Sequence, residues 1–201
     1  AGVPRVLWSS STTLYGPADL YDEPVDEAAP YRPQLVYGLT KAMGEQLSLF
    51  YRDRHGLETV AVRLPLVIGP GLWYHGAAGA LMDMLRAARP GETFSLKGPD
   101  VPVDLMYVTD CAEALVAIAA HADPPPERLN VNGFTATFAE LARAAERAVP
   151  GYAVEVATEA PPVVYPLITT ALVERTVGCR PRFDLDAAVR DLLEKEGGTG
   201  A

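Results

Sequence analysis

The sequence predicts an α/β fold: the latter part of a doubly wound, parallel, Rossmann-like sheet, with a small mixed α/β C-terminal lobe. Short apolar, β-branched runs at 6–10 and 59–64 are typical of buried strands, and helical periodicity spans about 35–54 between them. A strand, a helix and a strand joined in this way form a parallel βαβ unit. The tail after residue 150 alternates short strand and helix patterns, which indicates the lobe.

The first helix carries the most distinctive pattern. It follows a loop rich in Pro, Asp and Glu at 16–33, and Gly56 is a natural stop. Tyr37, Lys41 and Gly44 share one face, and a neighbouring face has the spacing of a buried stripe. The stripe consists of Val36, Leu39, Met43, Leu47 and Phe50. We therefore expect the stripe to pack on the sheet and the Tyr37/Lys41 pair to face a cleft.

The later elements follow the same alternation. Helices are predicted at 77–89, 111–121, 137–149, 170–177 and 186–195, and short strands at 94–96, 104–108, 129–131 and 154–156. Thr137 and Glu140 form a capping box, and Asp110 is expected to cap the helix that follows it. We divide the chain at about residue 72. Residues 1–72 hold the candidate site, and 73–201 interleave the remaining strands with a substrate lobe.

Tyr37 and Lys41 lie four residues apart, which places them on one helix face. An ammonium beside a phenol favours the phenolate, and such a tyrosine can exchange a proton with a substrate hydroxyl or carbonyl. Ser11, at the end of the first strand, can hold the same oxygen by a hydrogen bond. Ligands in such sheets bind at the carboxyl ends of the strands, where Ser11 and the loop 65–71 meet. The spacing alone also fits an ordinary half-exposed helix face.

Four segments occur in one order: Ser-Ser-Ser-x-x-Leu-Tyr-Gly at 9–16, Tyr-Gly-x-Thr-Lys at 37–41 with Glu45 after it, 63–71, and 107–114. Together they resemble the extended short-chain dehydrogenase/reductase superfamily, also called the NAD-dependent epimerase/dehydratase family. The resemblance covers nearly the whole chain. It implies Tyr37 as general acid/base and Lys41 as a ligand of the cofactor ribose hydroxyls.

The resemblance also assigns further positions. The catalytic hydroxyl is expected at Ser11, with Thr12 as the alternative. NAD or NADP is expected to contact Ser9, Ser10, Tyr37, Lys41 and the run Leu64, Pro65, Leu66 and Val67, whose main chain would meet the nicotinamide carboxamide. Candidate substrate contacts are Thr12, Thr13, Trp73 and His75. The choice between NAD and NADP depends on a residue that this sequence does not contain.

Three departures from the family pattern narrow the expectation. The glycine-rich turn that receives the cofactor pyrophosphate is absent, so we expect a second half that lacks roughly the first hundred residues. Val103 stands where members acting on nucleotide-diphosphate sugars carry an arginine, which disfavours such substrates unless Arg86, Arg175 or Arg182 substitutes. The pair Thr12-Thr13 replaces the Asp-Glu of sugar 4,6-dehydratases and disfavours dehydration.

Composition excludes several other classes. A net charge of −9 over 201 residues disfavours nucleic acid and anionic membranes as partners. The two cysteines, Cys111 and Cys179, form no CxxC, and the three histidines have no metal-ligand spacing, so no metal site is predicted. The expected location is a reducing cytoplasm. No run of the sequence is apolar enough to span a bilayer.

The sequence therefore predicts an NAD(P)-dependent oxidoreductase or epimerase that acts at a secondary alcohol or ketone of a small polar or sugar-like substrate. The alternative is a truncated or split chain that is inactive alone, as a fragment, a subunit or a binding module. A sheet that begins at this strand exposes an apolar edge, which we expect a missing N-terminal half or another subunit to cover. The resemblance implies a homodimer through the Tyr37 helix and the helix after Gly71.

Overall fold

The computed structural model of the protein describes residues 2–72 and 76–197, without the side chains of Ala77 and Gly197. The elements in chain order are β1 (Arg5–Ser11), α1 (Val36–His55), β2 (Glu58–Leu64), β3 (Leu66–Ile68), α2 (Ala77–Arg86), β4 (Thr93–Gly98), β5 (Val103–Tyr107), α3 (Val108–Ala120), β6 (Arg128–Asn130), β7 (Phe134–Ala136), α4 (Phe138–Ala148), β8 (Ala153–Thr158), α5 (Ala171–Val177) and α6 (Leu185–Gly197). A 3-10 turn, Thr12–Leu14, follows β1 directly.

The chain forms two compact units. The first unit comprises Ala1–Pro65, Asp110–Asn132 and Val163–Pro181, and the second comprises Leu66–Thr109, Gly133–Pro162 and Arg182–Ala201. Each unit takes segments from three parts of the chain. The strands of one unit are therefore interleaved along the sequence with those of the other.

The first unit contains a three-stranded parallel sheet in the order β1, β2, β6. β1, α1 and β2 form the predicted parallel βαβ unit, with a register that runs from Arg5 opposite Glu58 to Ser11 opposite Leu64. The described residues give β1 one strand partner, β2. Val6 and Trp8 on β1 are accordingly 40% and 37% exposed, whereas the central strand β2 is buried. The predicted apolar edge is present.

The apolar stripe of α1 contradicts the prediction that it packs on the sheet. Its five residues are all exposed: Val36, Leu39, Met43, Leu47 and Phe50. The buried positions of α1 are instead Gly38, Ala42 and Glu45. The helix therefore packs within the first unit through two small residues and one carboxylate. Periodicity locates an apolar stripe but does not say what covers it, and this was the source of the error.

The second unit contains both helices and strands. β3 pairs parallel with β5, β5 pairs antiparallel with β7, and β4 pairs parallel with β8. Side chains from α2, α4 and α6 fill the core of this unit, among them Leu81, Met84, Leu141 and Leu192. The predicted capping box of Thr137 and Glu140 opens α4.

Several elements differ from the sequence prediction. α2 ends at Arg86, three residues before the predicted end, because the chain turns before Pro90. α3 begins at Val108, so Asp110 lies buried within its first turn rather than at the cap position. β3 and β7 were not predicted as strands, because β3 follows Pro65 directly and β7, Phe-Thr-Ala, has no apolar run.

Candidate active site

The carboxyl end of β1 supplies three serines that have three different roles. The Ser9 main-chain oxygen accepts a hydrogen bond of 2.7 Å from Lys41 Nζ. The Ser10 hydroxyl is buried and donates a short hydrogen bond to Glu45 Oε1. Ser11 Oγ accepts from the Thr13 main-chain N–H at 3.2 Å and from the Thr13 hydroxyl at 3.0 Å. The first two serines hold α1, and the third caps the turn that follows β1.

Tyr37 and Lys41 occupy the first turns of α1. The Lys41 ammonium lies 5.4 Å from the centroid of the Tyr37 ring and 5.3 Å from the centroid of the Trp8 ring. Tyr37 is 54% exposed, so its phenol is accessible to a ligand. Ammonium groups over aromatic faces are attracted by the ring quadrupole. The Lys41 side chain is thus fixed by the Ser9 carbonyl and two rings, in contact with the side chain that the sequence pairs with it.

Two glycines let α1 approach the site this closely. A Cβ atom at Gly38 would meet the Thr13 carbonyl oxygen at 2.1 Å, and one at Gly44 would meet the Trp8 ring at 2.3 Å. Both separations are far below van der Waals contact. The turn that bears Tyr37 therefore packs directly on the backbone of the turn that bears Thr13. Only glycine permits this packing at position 38, since backbone cannot move aside as a side chain can.

A buried ion pair lies behind the exposed site. Arg63 on β2 and Glu45 on α1 are 0% and 1% exposed, and two hydrogen bonds join them: Nε to Oε1 at 3.0 Å and Nη2 to Oε2 at 2.8 Å. Burial by itself would raise the pKa of the Glu45 carboxyl, but the hydrogen bonds and positive charge of Arg63 outweigh burial and lower that pKa. Glu45 is therefore held as a carboxylate.

Three further side chains complete this network. The Tyr31 hydroxyl donates to Glu45 Oε2 at 2.6 Å. The Tyr15 hydroxyl accepts from Arg63 Nη1 at 2.7 Å and donates to Asn130 Oδ1 at 3.0 Å. Burial raises the pKa of Tyr15 to about 12, against the opposing effect of Arg63. The network joins β1, β2, β6, α1 and the loop after β1, all within the first unit.

Sequence reasoning did not assign this network. It named Glu45 and Arg63 only as members of family motifs. A usable signal was present, because Arg63 interrupts an apolar β-branched strand and Glu45 lies four residues after Lys41 on the same helix. A charge at a buried strand position requires a buried partner.

The remaining predicted residues are divided between the two units. Leu64 ends β2 beside Ser11, and Pro65 follows it in the first unit. Leu66 and Val67 belong to β3 of the second unit, opposite Leu105 and Met106. Thr12 is half-buried in the 3-10 turn. The candidate substrate residues Trp73 and His75 lie outside the described residues.

Across residues 2–72 and 76–197, histidine, cysteine, aspartate and glutamate side chains form no group of three that could hold a metal ion. None of the helices in this part of the chain combines the length and apolarity that crossing a membrane requires.

The side chains at the end of β1 fit a nicotinamide dinucleotide. An ammonium has three N–H donors, and Lys41 uses one on the Ser9 carbonyl, so it can also donate to the vicinal hydroxyls of a ribose. The exposed Tyr37 phenol stands next to it. A group that offers both ribose hydroxyls and a reacting carbon would engage both side chains. The residues expected to hold it within the first unit are Ser9, Ser10, Tyr37, Lys41, Leu64 and Pro65, although the Ser10 hydroxyl is buried and already donates to Glu45.

Comparisons with known proteins identify relatives. Uronate dehydrogenase of Pseudomonas putida is 45% identical over 65 residues, which cover 31% of this chain and 23% of that protein. UDP-glucose 4-epimerase of Streptomyces lividans is 30% identical over 151 residues, which cover 67% of this chain and 45% of that protein. The chain therefore spans less than half the length of these two curated relatives.

A solved structure shows the same fold. L-threonine dehydrogenase from Phytophthora infestans superposes with a TM-score of 0.86 at 21% identity, covering 97% of this chain and 66% of that one. This confirms the predicted Rossmann-like α/β fold. The model of the NAD dependent epimerase/dehydratase family matches residues 1–132, about two thirds of the 201 residues. The chain belongs to the NAD-dependent epimerase/dehydratase family, as the four sequence segments predicted.

Proposed function

We propose that this chain carries the proton-transfer half of an NAD(P)-dependent oxidoreductase or epimerase that acts at a secondary alcohol or ketone. The observation that carries the proposal is the side-by-side arrangement of an exposed Tyr37 phenol and the Lys41 ammonium, with Ser11 at the end of β1. Family membership supports the same reaction class.

In this mechanism the Ser11 hydroxyl donates a hydrogen bond to the substrate oxygen and holds it next to Tyr37. Tyr37 takes the hydroxyl proton during oxidation or returns it during reduction. The Lys41 ammonium, 5.4 Å from the centroid of the Tyr37 ring, lies next to the group that exchanges the proton. The cofactor, when bound, supplies the hydride acceptor or donor for the substrate carbon. A dehydrogenase or reductase releases the oxidised or reduced product, whereas an epimerase restores the alcohol with inverted configuration.

We propose a small polar or sugar-like substrate without a diphosphate. Val103, which replaces the family's pyrophosphate arginine, provides no charge. Arg86, one proposed substitute, already donates to the Leu72 carbonyl at 2.8 Å and pairs with Glu196 at 3.4 Å. A uronate, the substrate class in the name of the P. putida relative, fits this description better than a nucleotide sugar.

We also propose that the chain acts in an assembly. The exposed edge of β1 fits association with an N-terminal half that supplies the glycine-rich turn, and the chain alone would then be inactive. The exposed stripe of α1 fits a homodimer contact. α2 buries Leu81, Met82 and Leu85 inside the second unit, so α1 is the helix that offers an apolar surface. Because both cysteine thiols are unpaired, a reducing cytoplasm is retained as the proposed location.

The test is Tyr37→Phe in the intact enzyme, compared with Tyr51→Phe, a second exposed tyrosine on α1. Dehydrogenase activity is followed at 340 nm with NAD⁺ or NADP⁺ and a uronate or L-threonine, and epimerisation of UDP-glucose, which accumulates no reduced cofactor, is followed by chromatography of the products. Tyr37→Phe should lower kcat by about 10²–10⁴-fold, the usual effect of losing a general acid/base. Tyr51→Phe should leave kcat unchanged. Full activity in Tyr37→Phe would refute the assignment.

A further inference from the structure

We infer that Thr13 is a positioning residue for the substrate hydrogen bond of Ser11, rather than a substrate contact itself. The inference rests on the proposed function and adds a component to it. Thr13 lies in the 3-10 turn directly after β1 and is half-buried, whereas Ser11 is only 7% exposed.

The hydrogen bonds of Ser11 carry the inference. A serine hydroxyl has one hydrogen to donate and two lone pairs that accept. The main-chain N–H of Thr13 can only donate, and it occupies one lone pair at 3.2 Å. The Thr13 hydroxyl oxygen lies 3.0 Å from the same atom, within reach to donate to the other lone pair, and we infer that it does so. With both lone pairs occupied, Ser11 is left with a donor role, which is the role that a substrate carbonyl or alkoxide oxygen requires.

The backbone of Thr13 links the same turn to Tyr37. Its carbonyl oxygen lies so close to Gly38 that a Cβ there would approach it to 2.1 Å. Gly38 is the next residue after Tyr37 and is buried. Thr13 thus contacts the serine through its hydroxyl and N–H, and contacts the tyrosine's turn through its carbonyl. One residue fixes both the direction of the Ser11 proton and the packing of the Tyr37 turn.

Threonine is suited to this role for a chemical reason. A carboxylate at position 13, as in an Asp-Glu pair, accepts hydrogen bonds only and would draw the Ser11 proton toward itself. A hydroxyl can donate instead and so leaves that proton for the substrate. The pair Thr12-Thr13 therefore does more than disfavour dehydration. Its second member, Thr13, leaves the Ser11 hydroxyl free to act as a hydrogen-bond donor toward the substrate.

The experiment is a double-mutant cycle of Thr13→Val and Ser11→Ala in the intact enzyme, with Thr13→Ser as the conservative variant. Thr13→Val should lower kcat by about tenfold, the size of one hydrogen bond, with KM nearly unchanged. Thr13→Ser should restore kcat to within about threefold. In the Ser11→Ala background Thr13→Val should have no further effect, since the group it orients is gone. Melting temperatures of all variants check that they fold.

Several results would overturn the inference. Equal losses from Thr13→Val in the presence and absence of Ser11 would show a general structural role. Unchanged or increased kcat in Thr13→Val would show that Ser11 donates to Thr13, the reverse of the proposed direction. If Tyr37→Phe abolishes activity while either result holds, the proposed function survives and only this inference fails.

A readout without substrate tests the same contact. Exchange of the Thr13 amide hydrogen with solvent should accelerate about tenfold in Ser11→Ala, because the amide loses its acceptor. Thr13→Val should leave that exchange within about twofold, since the main-chain bond remains. An unchanged rate in Ser11→Ala would mean that the cap is not formed, and the inference would be overturned.

Discussion

Glu45 and Arg63 meet in a two-point ion pair that is almost wholly buried, directly behind the exposed Tyr37 and Lys41. Glu45 also accepts from Ser10, the neighbour of the proposed catalytic serine. The pair therefore ties the helix that bears the tyrosine to the two strands, β1 and β2, whose ends form the rest of the site. Its directional hydrogen bonds restrict the position of α1 relative to β1 and β2 more closely than apolar contacts, which have no preferred direction, would.

Removal of one partner should be costly. Arg63→Met removes both hydrogen bonds from Arg63 to the buried Glu45 carboxylate and leaves Arg128 Nε 3.9 Å away, and we expect a loss of about 3–5 kcal/mol in the free energy of unfolding. Arg147→Met is the matched control, because Arg147 pairs with Asp186 at the surface, with exposures of 57% and 47%. That change should cost less than about 1 kcal/mol. Urea denaturation measures both, and similar losses would contradict the structural role of the buried pair.

The raised pKa of Tyr15 leads us to expect a loss of stability at alkaline pH. Its pKa is raised by burial to about 12, whereas in the unfolded chain it titrates near 10. Because this pKa is higher in the folded state, the contribution of Tyr15 to the free energy of unfolding is fully present below pH 10. It is lost as the pH rises from 10 to 12. The shift corresponds to about 3 kcal/mol at the upper end. Tyr15→Phe should be less stable at pH 8 but should lack this part of the alkaline decline. Parallel declines in urea denaturation would refute the prediction.

Two glycine-to-alanine changes on α1 should affect different properties. Gly38→Ala should lower activity, and Gly44→Ala should change tryptophan fluorescence. Each gains about 1 kcal/mol of helix propensity. At Gly38 the new methyl meets the Thr13 carbonyl, so the first turn of α1 must shift and kcat should fall at least about tenfold with the displaced Tyr37. At Gly44 the new methyl group meets the Trp8 ring. This side chain can rotate away, so the fluorescence emission of the tryptophan should change. An active Gly38→Ala variant would show that the packing at Thr13 is not required.

The sequence allowed prediction of much of this arrangement and not of the rest, for identifiable reasons. The βαβ unit and the Tyr37/Lys41 pair follow from periodicity and spacing, which are local properties. The role of Glu45 does not, because its partner Arg63 lies eighteen residues away and only the fold brings them together. The orientation of α1 was predicted wrongly because its buried face is made by Gly38, Ala42 and Glu45, which form no apolar stripe. A hydropathy pattern does not reveal a packing interface that is formed by small residues.

The exposed stripe of α1 leads to the last prediction. Met43 is 62% exposed and lies in its middle, between Leu39 and Leu47, which are 48% and 57% exposed. Exposed apolar surface of this extent is typical of a protein–protein contact. If a second copy covers it, Met43→Glu would bury two like charges in the interface and should raise the dimer dissociation constant at least about 100-fold. Val116→Glu is the matched control, since Val116 is 67% exposed on α3, outside the stripe. Sedimentation equilibrium distinguishes the two. Unchanged association in Met43→Glu would place the dimer contact elsewhere, whereas dissociation in both variants would show a general effect of added charge.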